Sequence, residues 1–243
     1  MLPLKLSHIS KTFLIPASRQ DSLRERFVNL RFKQDWKRLP VLKDINLEVK
    51  TGEWLGVVGV NGSGKSTLLK IISGIYEPDH GQVQVNGRLV PFLELGVGFN
   101  LELSAQDNIF LNGVILGMTR KKIVQKFNTI VDFADIRPFL QQKLKNFSSG
   151  MQIRLAFSIA IQAPGDIYLL DEVLAVGDYQ FQQKCQRVFK KMRQQGKTVI
   201  LVSHDLDRII QYCDKTLWLD HGKIISSGTP KLVVDQYTHF VTP

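Results

Sequence analysis

The sequence predicts an α/β fold: a parallel sheet flanked by helices, with an antiparallel β edge and an inserted helical subdomain. Three observations carry that prediction. Near-continuous apolar runs at residues 54–59, 166–171 and 198–204 read as parallel strands covered on both faces. Helical patterns alternate with these runs, the order that a parallel sheet requires. Residues from about 100 to 153, between the first and second runs, read as mainly helical. A chain of 243 residues is long enough for one substantial domain with such a subdomain inside it.

In chain order, residues 4–9 read as a first strand, and VLKDINLEV at 41–49 alternates like a half-buried strand before a Thr-Gly turn. The apolar run WLGVVG follows. STLLKIISGIY at 66–76 is apolar on most sides, which predicts a buried helix. QVQVNG and RLVPFLEL then suggest a hairpin-like pair at an edge. Within the helical stretch, Ile123, Phe127, Ile130 and Val131 fall at helical spacing. Between the last two buried strands, Phe181, Cys185, Val188, Phe189 and Met192 form one helical stripe. The resulting division is a single domain over 1–243, with a core of about 1–98 and 154–243, a helical subdomain of about 99–153 and a basic insertion at 14–40.

Composition narrows the function classes. The net charge is +10, and residues 11–40 hold eight Lys or Arg against three Asp or Glu. Leu23, Phe27 and Leu30 lie among those cations at i, i+4 and i+7, one face of a helix. A solvated basic insertion and a helix docking on a partner or a membrane surface both fit this pattern. No nucleic-acid module accompanies it, so nucleic acid is not an expected partner. Cys185 and Cys213 form no CxxC pair and sit in no His cluster, which argues against a disulfide framework or a zinc site. No apolar run reaches the roughly 18 residues needed to span a bilayer, and the start lacks the order of a signal peptide. Work at a membrane would need another chain to do the crossing.

The chemistry begins at GVNGSGKST, residues 59–67, which matches G-x4-G-K-[ST] between a predicted strand and a predicted helix. Gly59, Gly62 and Gly64, with Asn61 and Ser63, let successive amides curl around phosphate oxygens, and the helix that follows adds its positive end. Lys65 is expected to reach the β- and γ-phosphates. Ser66, followed by Thr67, is expected to ligate Mg²⁺, so ATP and Mg²⁺ are the predicted ligands. Asp171 and Glu172 end the second buried strand, where carboxylates of an open α/β sheet can reach the phosphate site. Asp171 suits the metal shell and Glu172 the activation of water. His204, at the end of the third strand, can donate to the γ-phosphate and hold that water in line. Such chemistry relies on positioning and charge neutralisation, with no covalent intermediate.

In this order these motifs resemble the nucleotide-binding subunit of an ATP-binding cassette (ABC) transporter, over essentially the whole chain. The resemblance implies a P-loop NTPase core of RecA-like type and a homodimer sandwiching two ATP molecules head to tail. The family signature, usually LSGGQ, corresponds to Phe147, Ser148, Ser149, Gly150 and Met151. Ser148 and Gly150, with Ser149 between them, would then meet the γ-phosphate held by the other subunit. Asp178 matches a dimer-contact aspartate, and Phe13 the aromatic that stacks on adenine. Asn100 stands where the family has a glutamine touching Mg²⁺, and its shorter side chain reaches less far.

Ser149 in place of glycine and Met151 in place of glutamine are departures from the usual signature. With LELGVGFNLELSAQDNIFLNGVILGM and DEVLAVGDYQFQQKC, they resemble the branch that exports lipid-linked polysaccharides, O-antigen or teichoic acid. That resemblance implies two copies of a membrane-spanning permease and a peripheral place on the cytoplasmic face of the membrane. Some relatives in that branch carry a C-terminal carbohydrate-binding domain; a chain stopping at Pro243 is expected to leave no room for one, so cargo selection is expected to lie in the membrane subunit or the lipid-linked end group. The alternatives are an ABC transporter ATPase for another cargo, lipid or drug, and a soluble ABC ATPase acting on ribosomes or DNA.

Overall fold

The computed structural model describes residues 2–16, 36–92, 96, 98–171 and 178–241. Two sheets organise them. The first is antiparallel, of order β2-β1-β4, with β1 at Leu4–Pro16, β2 at Trp36–Val49 and β4 at His80–Val85. The second has the order β5-β6-β7-β3-β8-β9, with β3 at Trp54–Val58, β5 at Leu89–Phe92, β6 at Ile167–Asp171, β7 at Thr198–Val202, β8 at Lys215–Asp220 and β9 at Lys223–Gly228. Its pairs are parallel except β8 with β9.

Strand periodicity separates the core into two faces. From β6, Ile167 and Leu169 join Leu55, Val57, Ile200 and Val202 in a layer beneath the antiparallel sheet. Helix α1 at Lys65–Ile72 fills that layer with Leu68, Leu69, Ile71 and Ile72. Tyr168 and Leu170 face the other way, into a core shared with the remaining helices. These are α2 at Ala105–Ile115, α3 at Arg120–Ala134, α4 at Ser149–Ala160, α5 at Tyr179–Gln194, α6 at Leu206–Tyr212 and α7 at Pro230–Val241. The strand runs are apolar on both faces because each face has its own cover. Cys185 and Cys213 are free and buried, and burial pushes both thiols up to about 12.

Several local expectations change. The segments around residues 82–92 are not a hairpin. Val83 and Val85 pair with Leu6 and Leu4 of β1, whereas β5 runs parallel to β6 in the other sheet. The chain changes sheets at Asn86 and Gly87, because Val90 and Phe92 need the aromatic cover of Phe157 and Tyr168. Helix α1 stops at Ile72, short of Tyr76, where Gly74 takes a left-handed φ of 74° and its N–H bonds the Ile71 carbonyl at 3.1 Å. The first strand is longer than expected. Phe13, Leu14, Ile15 and Pro16 pair with Leu39, Arg38, Lys37 and Trp36, so both described ends of the basic insertion are strand. Its expected helical face, Leu23, Phe27 and Leu30, lies outside the described residues.

Phe157 of α4 is fully buried, with the rings of Phe92, Phe133, Phe181 and Phe189 centred 5.6, 6.0, 5.7 and 6.3 Å away. It joins α3, α4 and α5 to the sheet. Phe157→Ala should therefore cost about 3–5 kcal/mol of folding free energy in urea unfolding. A loss below about 1 kcal/mol would mean that this aromatic cluster is not the joint.

Candidate functional site: a phosphate loop at the sheet's carboxyl edge

The loop from β3 to α1 is shaped by close backbone approach. A Cβ on Gly59 would lie 2.1 Å from the Leu219 carbonyl oxygen, and one on Gly64 would lie 2.8 Å from Leu42 Cδ2. Both residues, and Gly62 between them, have positive φ of 154°, 111° and 81° respectively, open at low cost to glycine alone. The Ser63 carbonyl accepts from Gly222 N–H at 3.0 Å, which pins the loop to the turn between β8 and β9. Lys65 is 7% exposed, and its ammonium donates to the carbonyls of Gly59 at 2.7 Å and Val60 at 3.0 Å. Ser63 Oγ is buried without a protein partner, a polar atom consistent with a ligand-binding loop. No acidic residue occupies the first turn of α1 itself, so the helix does not compensate its own positive end.

Parallel order brings the acidic strand to this loop. β6 neighbours β7, β7 neighbours β3, and Asp171 pairs with Val202 at the carboxyl edge. Asp171 Oδ2 lies 3.5 Å from Ser66 Oγ, at the first turn of α1. A hydroxyl and a carboxylate converging from two elements fit a hard cation that keeps most of its other ligands as water and phosphate. His204 is exposed just beyond β7. Its turn is fixed by Ser203 Oγ, which accepts from Asp205 N–H at 3.0 Å, and by Asp205, which caps α6. Glu172, next after Asp171, lies outside the described residues.

The signature residues form the exposed start of α4. Ser148 is the N-cap, its Oγ accepting from Met151 N–H at 3.2 Å, and Ser149 and Gly150 begin the helix. A Cβ on Gly150 would have no neighbour nearer than Ser148 Oγ at 4.0 Å, so internal packing does not demand glycine there. Met151 packs against the helical core. Asp178 caps α5, its Oδ1 accepting from Phe181 N–H at 2.8 Å, while its Oδ2 is 3.8 Å from Arg154 Nη1 on α4. Phe13 sits on β1 with the Tyr76 ring edge-on at 5.4 Å and the Lys11 ammonium 5.6 Å from its own ring.

Residues 42–175 match the family described as ABC transporter. The chain belongs to that family. This cassette carries the family's ATPase domain. It is 45% identical to the ABC transporter protein AbcA of Aeromonas salmonicida, over 96% of this chain and 75% of that protein. It is 40% identical to the O-antigen export system ATP-binding protein RfbB of Myxococcus xanthus, over 87% of this chain and 48% of RfbB. It is 37% identical to the teichoic acids export ATP-binding protein TagH of Lactococcus lactis, over 98% of this chain and 51% of TagH. The match thus spans about half the length of the latter two. In fold, the cassette is similar to the dimeric post-hydrolysis structure of the ATP-binding cassette MJ0796 bound to ADP and Pi. That likeness has a TM-score of 0.74 at 22% identity, over 93% of this chain and 98% of that one.

Three residues that sequence reasoning passed over hold the cassette's site in shape. Asn108 is fully buried: its Oδ1 accepts from Asn100 N–H at 2.8 Å, and its Nδ2 donates to the Asn100 carbonyl at 2.9 Å. Asn100 Oδ1 accepts from Glu102 N–H at 3.0 Å, so that amide shapes its own turn. Glu102 then spans Lys145 and Lys143, both on the approach to the signature, and their ammonium groups hold its carboxyl below the usual carboxylate range. Asp79 fixes the strand that carries Phe13, accepting from Lys11 Nζ at 2.8 Å and Thr12 N–H at 2.6 Å. The only sequence signal for these residues is polarity beside an apolar run, because each acts through a partner brought near by folding.

Lys11, and then the Thr12 amide, hold the Asp79 carboxyl below its ordinary range. A depressed folded value stabilises the fold above the unfolded aspartate value near 4, and that stability is lost as pH falls through the folded value. Asp79→Asn should cost less than about 1 kcal/mol at neutral pH, since the pair is partly exposed. Urea midpoints from roughly pH 5 to pH 2 should converge for the two proteins. Parallel acid limbs would contradict the assigned contact.

Proposed function

We propose that this chain is the ATP-hydrolysing subunit of an exporter for lipid-linked polysaccharide, of O-antigen or teichoic acid type. The observation that supports hydrolysis most directly is the meeting of Ser66 and Asp171 beside the Lys65 loop. The names of relatives 35–40% identical to this chain support the cargo.

Two copies bind ATP between them, head to tail. Gly59, Asn61, Gly62, Ser63, Gly64, Lys65, Ser66 and Thr67 of one copy hold the phosphates, and Phe13 stacks on the adenine. Ser66 and Asp171 would hold Mg²⁺, which would supply neutralisation of the phosphate charge. Asn100 shapes the loop leading to α2, its oxygen accepting from Glu102 N–H, and reaches less far toward the ion than a glutamine would. Ser148 offers its hydroxyl, and Gly150 its amide, from the second copy, and the positive end of α4 favours the same phosphate. Ser149 is the first helical residue between them, and Asp178 lies at the dimer contact. Glu172 takes the proton of the attacking water while His204 holds that water in line.

Among the described residues, no helix is long and apolar enough to cross a membrane. Two copies of a membrane-spanning permease do that work, and this subunit sits peripherally on the cytoplasmic face through them. Leu111, Val114 and Ile115 are exposed on α2, which Asn108 ties to the Asn100 turn, so a permease helix docked there would feel the state of the site. ATP binding closes the dimer, closure moves α2 to α4 with the permease, and hydrolysis reopens it.

Glu172→Gln should keep ATP binding and lower turnover by about 10²-fold or more, the order expected for loss of a general base. Gel filtration with ATP should show a trapped dimer. Turnover at the native rate would remove Glu172 from its assigned role.

A further inference from the structure

A cavity opposite the nucleotide loop has no part in the chemistry above. It has a volume of about 350 Å³ and opens where α3 and α5 flank the turn between α4 and β6. Gly165 and Lys197 in its lining precede β6 and β7, so it sits at the amino ends of the strands that lead to Asp171 and His204. At about 3.3 Å per residue, β6 alone separates the two sites by roughly 13 Å.

The charge of the lining has one sign. Lys122 and Lys126 come from α3, Lys191 from α5 and Lys197 from the loop before β7, with no acidic residue in the lining. An adjoining depression shares Phe133, Val188 and Lys191 and adds Lys184 and Arg187. Its one acid, Asp132, is 2.5 Å from Arg137 and thereby neutralised. Lys197 has Asp166 at 3.9 Å, and Lys184 donates to the Phe133 carbonyl at 3.2 Å. Lys122, Lys126, Arg187 and Lys191 have no carboxylate partner among the described residues. Phe133, Ile161, Tyr168 and Met192 supply an apolar wall.

A solvated basic helix spreads its cations outward. Here cations of two helices and a loop converge on one concavity, where like charges repel and the field is focused on whatever enters. The volume lies within the roughly 300–1,000 Å³ of small-molecule sites. We propose that this cleft binds a small phosphorylated molecule with a ring or other apolar portion. Its phosphates lie on Lys122, Lys126 and Lys191, and its apolar part on Phe133. Such a ligand ties α3 to α5 and so sets how the signature-bearing helices sit on the sheet, independently of the residues that handle ATP.

The test uses the full chain carrying Lys65→Ala, which removes the phosphate lysine of the nucleotide loop. Uridine diphosphate and inorganic pyrophosphate are titrated by calorimetry at low and moderate salt. Both should bind, more weakly as salt rises, with uridine diphosphate the tighter. Adding Lys126→Glu or Lys191→Glu should weaken each by about tenfold or more, as loss of a charge-assisted phosphate contact does. Lys126→Gln and Lys191→Gln, with cooperative unfolding checked, decide the matter if a charge reversal fails to fold. Absence of binding at millimolar ligand, or binding indifferent to these substitutions, overturns the proposal. Equal affinity for the two probes overturns its apolar part. Flotation with phosphatidylglycerol vesicles separates the sources of phosphate: capture through the same lysines, without binding of the soluble probes, would assign the surface to lipid headgroups and overturn the cleft ligand.

Discussion

The carbonyl of Leu219 passes so close to residue 59 that only glycine fits there, and the nucleotide edge is organised around that contact. It forces the chain to leave β3 abruptly and re-enter as α1 within a few residues. The helix is thereby aimed back under the antiparallel sheet, where its leucines and isoleucines fill the space between the two sheets. Its first turn is left at the carboxyl edge of the strands, with Lys65 folded over the loop and Ser66 facing Asp171. Core packing and the phosphate site are therefore one arrangement: substituting the glycine displaces the helix that holds both.

The parts of the site on this edge were legible because local sequence dictates them. A glycine-rich turn between an apolar strand and an apolar helix, and an acid at the end of another apolar strand, need no knowledge of distant contacts. Parallel pairing of β6, β7 and β3 then places them side by side. The hairpin expected near residues 82–92 failed for the opposite reason. Its alternation was real, but the partner of each strand lies far away, β4 on β1 and β5 on β6. Asp79 and Asn108 were missed on the same ground, since an aspartate in a turn and an asparagine in a helix carry no mark of the amides they will hold.

The start of α4 joins a structural role to the functional one proposed for it in the same atoms. Ser148 caps its helix, as a serine at that place does in many proteins, yet its exposure and the open space at Gly150 leave the helix end free toward solvent. Met151 turns inward to the core, so the side chain that replaces the usual glutamine is a packing residue. Asp178 and Arg154 bring the signature helix to the cap of α5. Helix-end electrostatics, an exposed glycine and a capping aspartate thus cluster on one surface, where a second copy would complete the site.

Trans-complementation tests that completion most directly. Lys65→Ala removes one copy's phosphate lysine, and Ser148→Arg blocks one copy's signature, so each variant alone should lack ATPase activity. In a head-to-tail dimer of one variant with the other, one of the two sites combines a native loop with a native signature. Mixing the two inactive proteins should therefore restore hydrolysis. A mixture that forms dimers and stays inactive would contradict an active site shared between subunits.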